Sequence, residues 1–130
     1  MKNKRILPKW INHLEKYEIF VFGSNLSGSH GGGAAKLAMK WGAVWGQGVG
    51  LQGQTYAIPT MQGGVETIKP YVDEFLLFAQ KHPDLKFLVT EIGCGIAGFT
   101  VQEIAPLFKA AIVEDYENIF LPPSFYDELS

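Results

Sequence analysis

The sequence predicts an α/β fold in three layers, with helices on both faces of a mixed or mostly parallel sheet. Two observations predict it. Short apolar runs bounded by glycine or proline alternate with stretches of helical spacing between residues 18 and 121, the pattern of a sheet covered by helices. The first run, residues 18–22, is apolar on both faces, as a central strand is.

The elements follow in order. Residues 1–16 are mixed; Pro8 suits a helix start, and Trp10, Ile11 and Leu14 have helical spacing, which predicts a short helix. The strand over 18–22 ends at Gly23, and residues 23–33 form a loop. Ala34, Leu37, Ala38 and Trp41 then fall on one helical face, with Gly42 as the stop. Residues 43–53 are glycine-rich, and 54–58 read as a strand halted by Pro59. Ile68, Val72, Phe75, Leu76 and Ala79 share one face of a helix over 66–82. Pro70 is compatible with that helix only in its first turn. Residues 87–92 are the next strand. Thr100 and Glu103 have the spacing of a capping box. They open a helix whose buried stripe is Ile104, Leu107, Phe108 and Ala111, with Pro106 either kinking it or marking its true first turn. Residues 118–121 form a last short strand closed by Pro122 and Pro123.

Bulk composition narrows the function classes. A chain of 130 residues fits a single domain over 1–130, and 47% hydrophobic against 18% charged residues excludes a disordered chain. The formal net charge is −2, and no basic stretch extends beyond Lys2, Lys4 and Arg5. That excludes a phosphate-neutralising groove for nucleic acid. Any phosphate would be held by backbone amides, which glycine-rich turns supply. Cys94 is the only cysteine, so no intramolecular disulfide forms, which suits a reducing compartment. The charged first residues, interrupted by Pro8 and Trp10, do not read as a signal peptide. No apolar run approaches the roughly 20 residues of a membrane span. A soluble, cytoplasmic protein is expected, with no membrane partner; no histidine, cysteine or carboxylate cluster suggests a metal, and no cofactor is expected. The oligomeric state is not legible.

Fifteen glycines are concentrated mainly in residues 23–64 and 93–98. Gly23-Ser24-Asn25-Leu26-Ser27-Gly28-Ser29-His30-Gly31-Gly32-Gly33 runs from a strand into a helix. Three consecutive glycines permit close backbone approach, and a helix start offers unpaired amides to an anion. Ser24, Asn25 and Ser29 add neutral hydrogen-bonding groups. Neither the Gly-Lys-Ser/Thr core of a P-loop nor the dinucleotide G-x-G-x-x-G spacing is present here. Ile92-Gly93-Cys94-Gly95-Ile96-Ala97-Gly98-Phe99 repeats the strand–glycine loop–helix arrangement. Two such loops at the carboxyl edge of one sheet would clasp a diphosphate from opposite sides, with Ile96 and Phe99 pressing on a sugar or base.

These segments resemble the macrodomain superfamily, whose members bind ADP-ribose. Residues 25–35 are similar to its first loop, an asparagine followed by glycines and small helix-opening residues. Residues 92–99 are similar to its diphosphate loop. The resemblance spans about residues 18–121, with its specific content in the two loops. It implies a macrodomain-like fold and ADP-ribose or a related nucleotide as ligand. Asn25 would face the distal ribose; Gly31, Gly32 and Gly33 would line that sugar and the nearby phosphate. Gly93, Cys94, Gly95, Ile96, Ala97, Gly98 and Phe99 would wrap the diphosphate. Residues 1–16 depart from the family pattern, being too short for its extra amino-terminal strands and lacking its adenine-side aspartate.

An alternative is hydrolysis of ADP-ribosyl linkages, with Asn25 positioning water and His30 acting as acid or base. A further alternative is a Rossmann-like nucleotide-processing enzyme, which Val21-Phe22-Gly23-Ser24 also resembles; the glutamate usual in the second motif there is absent from residues 93–99. Cys94 has apolar neighbours and no paired histidine, which disfavours a nucleophile. Glu91, just before the second loop, either faces the pocket or pairs with a surface lysine, the pairing being preferred; Trp41 and Trp45 are assigned to the core, with stacking on a base as the other role for Trp45.

Overall fold

The structure is a computed structural model and describes Leu7 and residues 11–130. The elements are β1 (Glu18–Ser24), α1 (Gly33–Ala38), β2 (Gly50–Gln52), β3 (Thr55–Pro59), α2 (Val65–Lys81), β4 (Lys86–Val89), α3 (Val101–Ile104), α4 (Lys109–Val113), β5 (Ile119–Phe120) and α5 (Pro123–Leu129). The five strands form one sheet in the order β2-β3-β1-β4-β5. β1 pairs in parallel with β3 and β4, β4 pairs in parallel with β5, and only β2 runs antiparallel. The fold is α/β with a mixed, mostly parallel sheet.

Alternation along β1 builds the two faces. Ile19 and Val21 enter one core cluster with Tyr56, Ile58, Phe87 and Val89, beneath α2 and the helices of the carboxyl-terminal half. Phe20 and Phe22 enter a second cluster with Ala57, Leu88 and the α1 residues Ala35 and Ala38. β1 is therefore buried on both faces because helices cover both, and it lies at the centre of the sheet.

Several elements differ from the sequence reading. Residues 11–15 form no helix; Leu14 is buried and Ile11 packs on the second cluster as irregular chain. Residues 8–10 of that predicted helix lie outside the described residues. β4 stops at Val89 rather than residue 92, because the chain turns where the Ile92 amide donates to the Thr90 carbonyl, 2.8 Å away. Pro70 lies at the sixth residue of α2, not in its first turn. The helix continues past it because Ile68, Val72, Phe75, Leu76 and Ala79 are all buried; one lost backbone bond is outweighed by that apolar face. Pro106 opens a 3-10 turn, Ala105–Phe108, that joins α3 to α4. β2 and α5 were not anticipated. β2 is three residues long and starts at a glycine, too short to show alternation. Pro122 and Pro123 read as a terminator, but Pro123 occupies the first turn of α5, where its missing N–H costs nothing.

The Thr100 capping box forms as expected: its side chain accepts from the Glu103 amide at 3.2 Å, and the Glu103 carboxylate accepts from the Thr100 amide at 2.9 Å. It sets the start of α3 directly after the second glycine loop.

Tyr56 on β3 is buried between the Phe75 and Phe78 rings, with centroids 5.1 and 5.2 Å away. Burial, and then the charge of Glu74, push its phenol up from 10 to about 12. Below pH 10 both folded and unfolded chains keep this proton, and its contribution to stability is intact. Above pH 10 the unfolded chain releases the proton first, so stability falls towards pH 12 by about 1.4 kcal/mol per unit from this group. Tyr56→Phe should flatten that part of the alkaline unfolding profile. An identical profile in the variant would show that Tyr56 titrates normally.

Candidate functional site

The carboxyl ends of β1, β3 and β4 open into a cleft of about 400 Å³, within the size range of small-ligand sites. Its floor is neutral and polar. Ser24 ends β1, Thr60 follows β3 and Thr90 follows β4, and all three line the cleft. Each hydroxyl is committed to the scaffold: Ser24 Oγ donates to the Gly48 carbonyl, Thr60 Oγ1 to the Ser24 carbonyl at 3.4 Å, and Thr90 Oγ1 to the Val21 carbonyl at 2.8 Å. These bonds tie the three strand ends to one another and to the 43–50 segment.

The two glycine loops meet at this cleft. Ser24, Asn25, Gly32 and Gly33 line it from the first loop. Gly93, Cys94, Gly95, Ile96 and Ala97 line it from the second. They approach closely: a Cβ on Gly32 would lie 3.7 Å from Ile96 Cδ1, and one on Gly23 would lie 3.3 Å from the Gly93 nitrogen.

Within the first loop, Asn25 organises the backbone. Its Oδ1 accepts from the Ser29 amide at 2.9 Å and from Ser27 Oγ at 2.7 Å, and its Nδ2 donates to the Ser29 carbonyl at 3.2 Å. An asparagine closing a turn on its own backbone is a local side-chain device. The loop then feeds α1 through Gly32, whose φ of −156° is extended, and Gly33, whose φ of 59° is left-handed. α1 has only six residues, so its exposed amides, rather than an axial dipole, are what it offers a ligand. The first backbone bond into the helix is Lys36 to Gly32, at 3.2 Å.

In the second loop, the Gly98 amide closes a turn on the Gly95 carbonyl at 3.0 Å, and the Phe99 amide returns to the Gly93 carbonyl at 2.8 Å. Gly93 and Gly98 both have left-handed φ values, 75° and 82°, which glycine alone adopts without strain. The amides of Gly95, Ile96 and Ala97 at the tip make no backbone hydrogen bond among the described residues.

Four of the sequence-selected residues are not in the lining. Gly31 sits next to it, with the Trp45 ring 3.9 Å from where its Cβ would be. Gly98 closes the loop, and Phe99 packs on the first core cluster, so both shape the loop without lining the cleft. His30 is 2% exposed, with its ring edge-on to Phe22 at 5.3 Å and Nε2 3.0 Å from the Gln47 carbonyl. It holds the 43–52 segment against the loop. Catalytic acid–base work by His30 has no geometric support.

Sequence reasoning missed Thr60, Met61 and Thr90 as cleft residues, and Glu91 takes the pocket-facing of its two expected places. Thr60 directly follows the strand-ending Pro59, a usable signal; Thr90 lies inside an apolar run that reads as strand. Glu91 makes no ion pair with a lysine among the described residues; its Oε2 accepts from Ser124 Oγ on α5. Trp45 is not core but 59% exposed, and Trp41 is half-buried against Phe20 at 5.1 Å. Burial first, then the charges of Glu91 and Glu103, push the Cys94 thiol up, which opposes thiolate chemistry. No group of three or more metal-ligating side chains exists among the described residues, and no described helix is long and apolar enough to cross a membrane.

Comparison with protein families, curated proteins and solved structures finds no match.

Proposed function

We propose that the cleft binds ADP-ribose or a related phosphate-bearing nucleotide. The observation that carries this reading is the meeting of two glycine loops at one cleft, with the Gly95, Ile96 and Ala97 amides making no backbone bond among the described residues. No lysine or arginine lines it among the described residues, so an anion there would be held by amide donors. Around the polar floor stand Met61, 49% exposed, and Ile96, 81% exposed; such apolar side chains suit the faces of a sugar or base.

Hydrolysis finds less support. Asn25 spends its side chain on the loop, and His30 lies outside the cleft. Among the described residues, the ionisable side chains of the lining are Glu91 and Cys94, and neither sits in an arrangement that marks it as a base.

Calorimetry and thermal unfolding with ADP-ribose test the reading. Ligand at about 100 times its Kd stabilises a single site by ~2.7 kcal/mol. Gly32→Val provides the blocking variant. The backbone at Gly32 is extended and accepts any residue, and its Cβ points to within 3.7 Å of Ile96. The change should lower the stability of the free protein by no more than about 1 kcal/mol, chiefly through the helix start, while abolishing the ligand-induced shift. No heat and no shift at millimolar ADP-ribose with wild type would reject the proposal; an undiminished shift in Gly32→Val would place the ligand elsewhere.

A further inference from the structure

Among the described residues, Glu91 supplies the one carboxylate of a cleft otherwise lined by backbone, hydroxyl, amide, thiol and apolar groups. One carboxylate oxygen, Oε2, accepts from Ser124 Oγ; Oε1 has no partner among the described residues. Ser124 is held in place by its helix, since Phe125 and Tyr126, the next two residues of α5, are buried in the first core cluster. The carboxylate is thus aimed by a fixed hydroxyl and keeps one oxygen for a further donor. Its negative charge is felt at Cys94, in the second loop.

A carboxylate in this position repels a phosphate placed beside it and accepts hydrogen bonds from hydroxyls. We infer that Glu91 is a specificity determinant that receives sugar hydroxyls of the ligand, confining phosphate to the glycine-loop amides and selecting a nucleotide with a free hydroxyl pair. This inference rests on the nucleotide-binding reading of the cleft and names which part of the ligand the cleft distinguishes. A hydrogen bond to a charged group contributes enough to separate such ligands by about tenfold or more in affinity.

The test is calorimetry on wild type, Glu91→Ala and Glu91→Gln with two ligand pairs. ADP-ribose against ADP isolates a terminal ribose; ADP against its 2′,3′-dideoxy analogue isolates the hydroxyl pair of the nucleoside sugar. Wild type should prefer the hydroxyl-bearing member of at least one pair by about tenfold. Glu91→Ala should reduce that preference to less than about threefold while still binding the hydroxyl-poor member, and Glu91→Gln, with one acceptor oxygen left, should fall between. If Glu91→Ala does not fold, Glu91→Gln, which keeps the shape, carries the comparison. No preference in wild type, or a preference that survives both substitutions, overturns the role of Glu91 and leaves nucleotide binding standing. Absence of binding by all four ligands to wild type rejects the nucleotide reading and this inference together.

Discussion

Gly48→Ala should lower the stability of the protein by roughly 3 kcal/mol or more, and with it the midpoint of thermal unfolding by about 10 °C. The cause is steric. A Cβ at Gly48 would lie 2.1 Å from the Asn25 carbonyl oxygen and 2.9 Å from both Cα and carbonyl carbon of Leu26. All of these are backbone atoms, so no side-chain rotation relieves the overlap. The neighbouring crossing is as tight: a Cβ on Gly28, whose φ is 72°, would lie 2.3 Å from the Gly46 carbonyl carbon. The two segments are bonded where they cross, Gly46 N–H to the Gly28 carbonyl at 2.9 Å and Ser24 Oγ to the Gly48 carbonyl. Separating them therefore displaces Asn25 and Ser24, which line the cleft, and ligand binding should be lost in the same variant. Gly95→Ala is the control, since a Cβ there meets nothing within 4 Å; it should change stability by no more than about 0.5 kcal/mol. Equal unfolding midpoints for Gly48→Ala and wild type would show that the two loops do not cross as described.

Phe75→Ala should cost about 3–5 kcal/mol. Phe75 is fully buried on the inner face of α2. Its ring meets Tyr56 of β3 at 5.1 Å, Phe87 of β4 at 5.4 Å and Phe108 of the 3-10 turn at 6.4 Å. One side chain thus joins the long helix to two strands and to the carboxyl-terminal helices, and truncating it leaves a void bordered by three rings that cannot all close in. Leu77, two residues on and 51% exposed, gives the comparison: Leu77→Ala should stay within about 0.5 kcal/mol. Denaturant unfolding of the two variants decides it, and a loss below about 1 kcal/mol for Phe75→Ala would mean that this cluster is not tightly packed.

The long helix and the strands were legible because their signals are local. Ile68, Val72, Phe75, Leu76 and Ala79 repeat at helical spacing, and all five are buried. Thr100 and Glu103 cap each other across three residues. The both-face apolarity of residues 18–22 indicated a central strand, and β1 lies between β3 and β4. Gly42 ends its helical segment with a φ of 109°, the left-handed geometry a glycine stop requires. What was misread was weak or ambiguous at the same local level. β2 has three residues and no period; Pro123 fits the start of a helix as well as the end of a strand.

The candidate site was legible as two loops, not as a cleft. Nothing near Glu91 in the chain indicates Ser124, 33 residues away, and nothing near His30 indicates that Gln47 and Phe22 enclose it. The sequence by itself determined the long helix, the central strand and the two glycine loops, because those properties depend on residues within a few positions of one another. Tertiary structure alone decided that the two glycine loops share a cleft, that Glu91 faces it and that His30 does not. Those outcomes follow from strand order and from packing on both faces of the sheet, which bring together residues whose neighbours in the chain carry no information about each other.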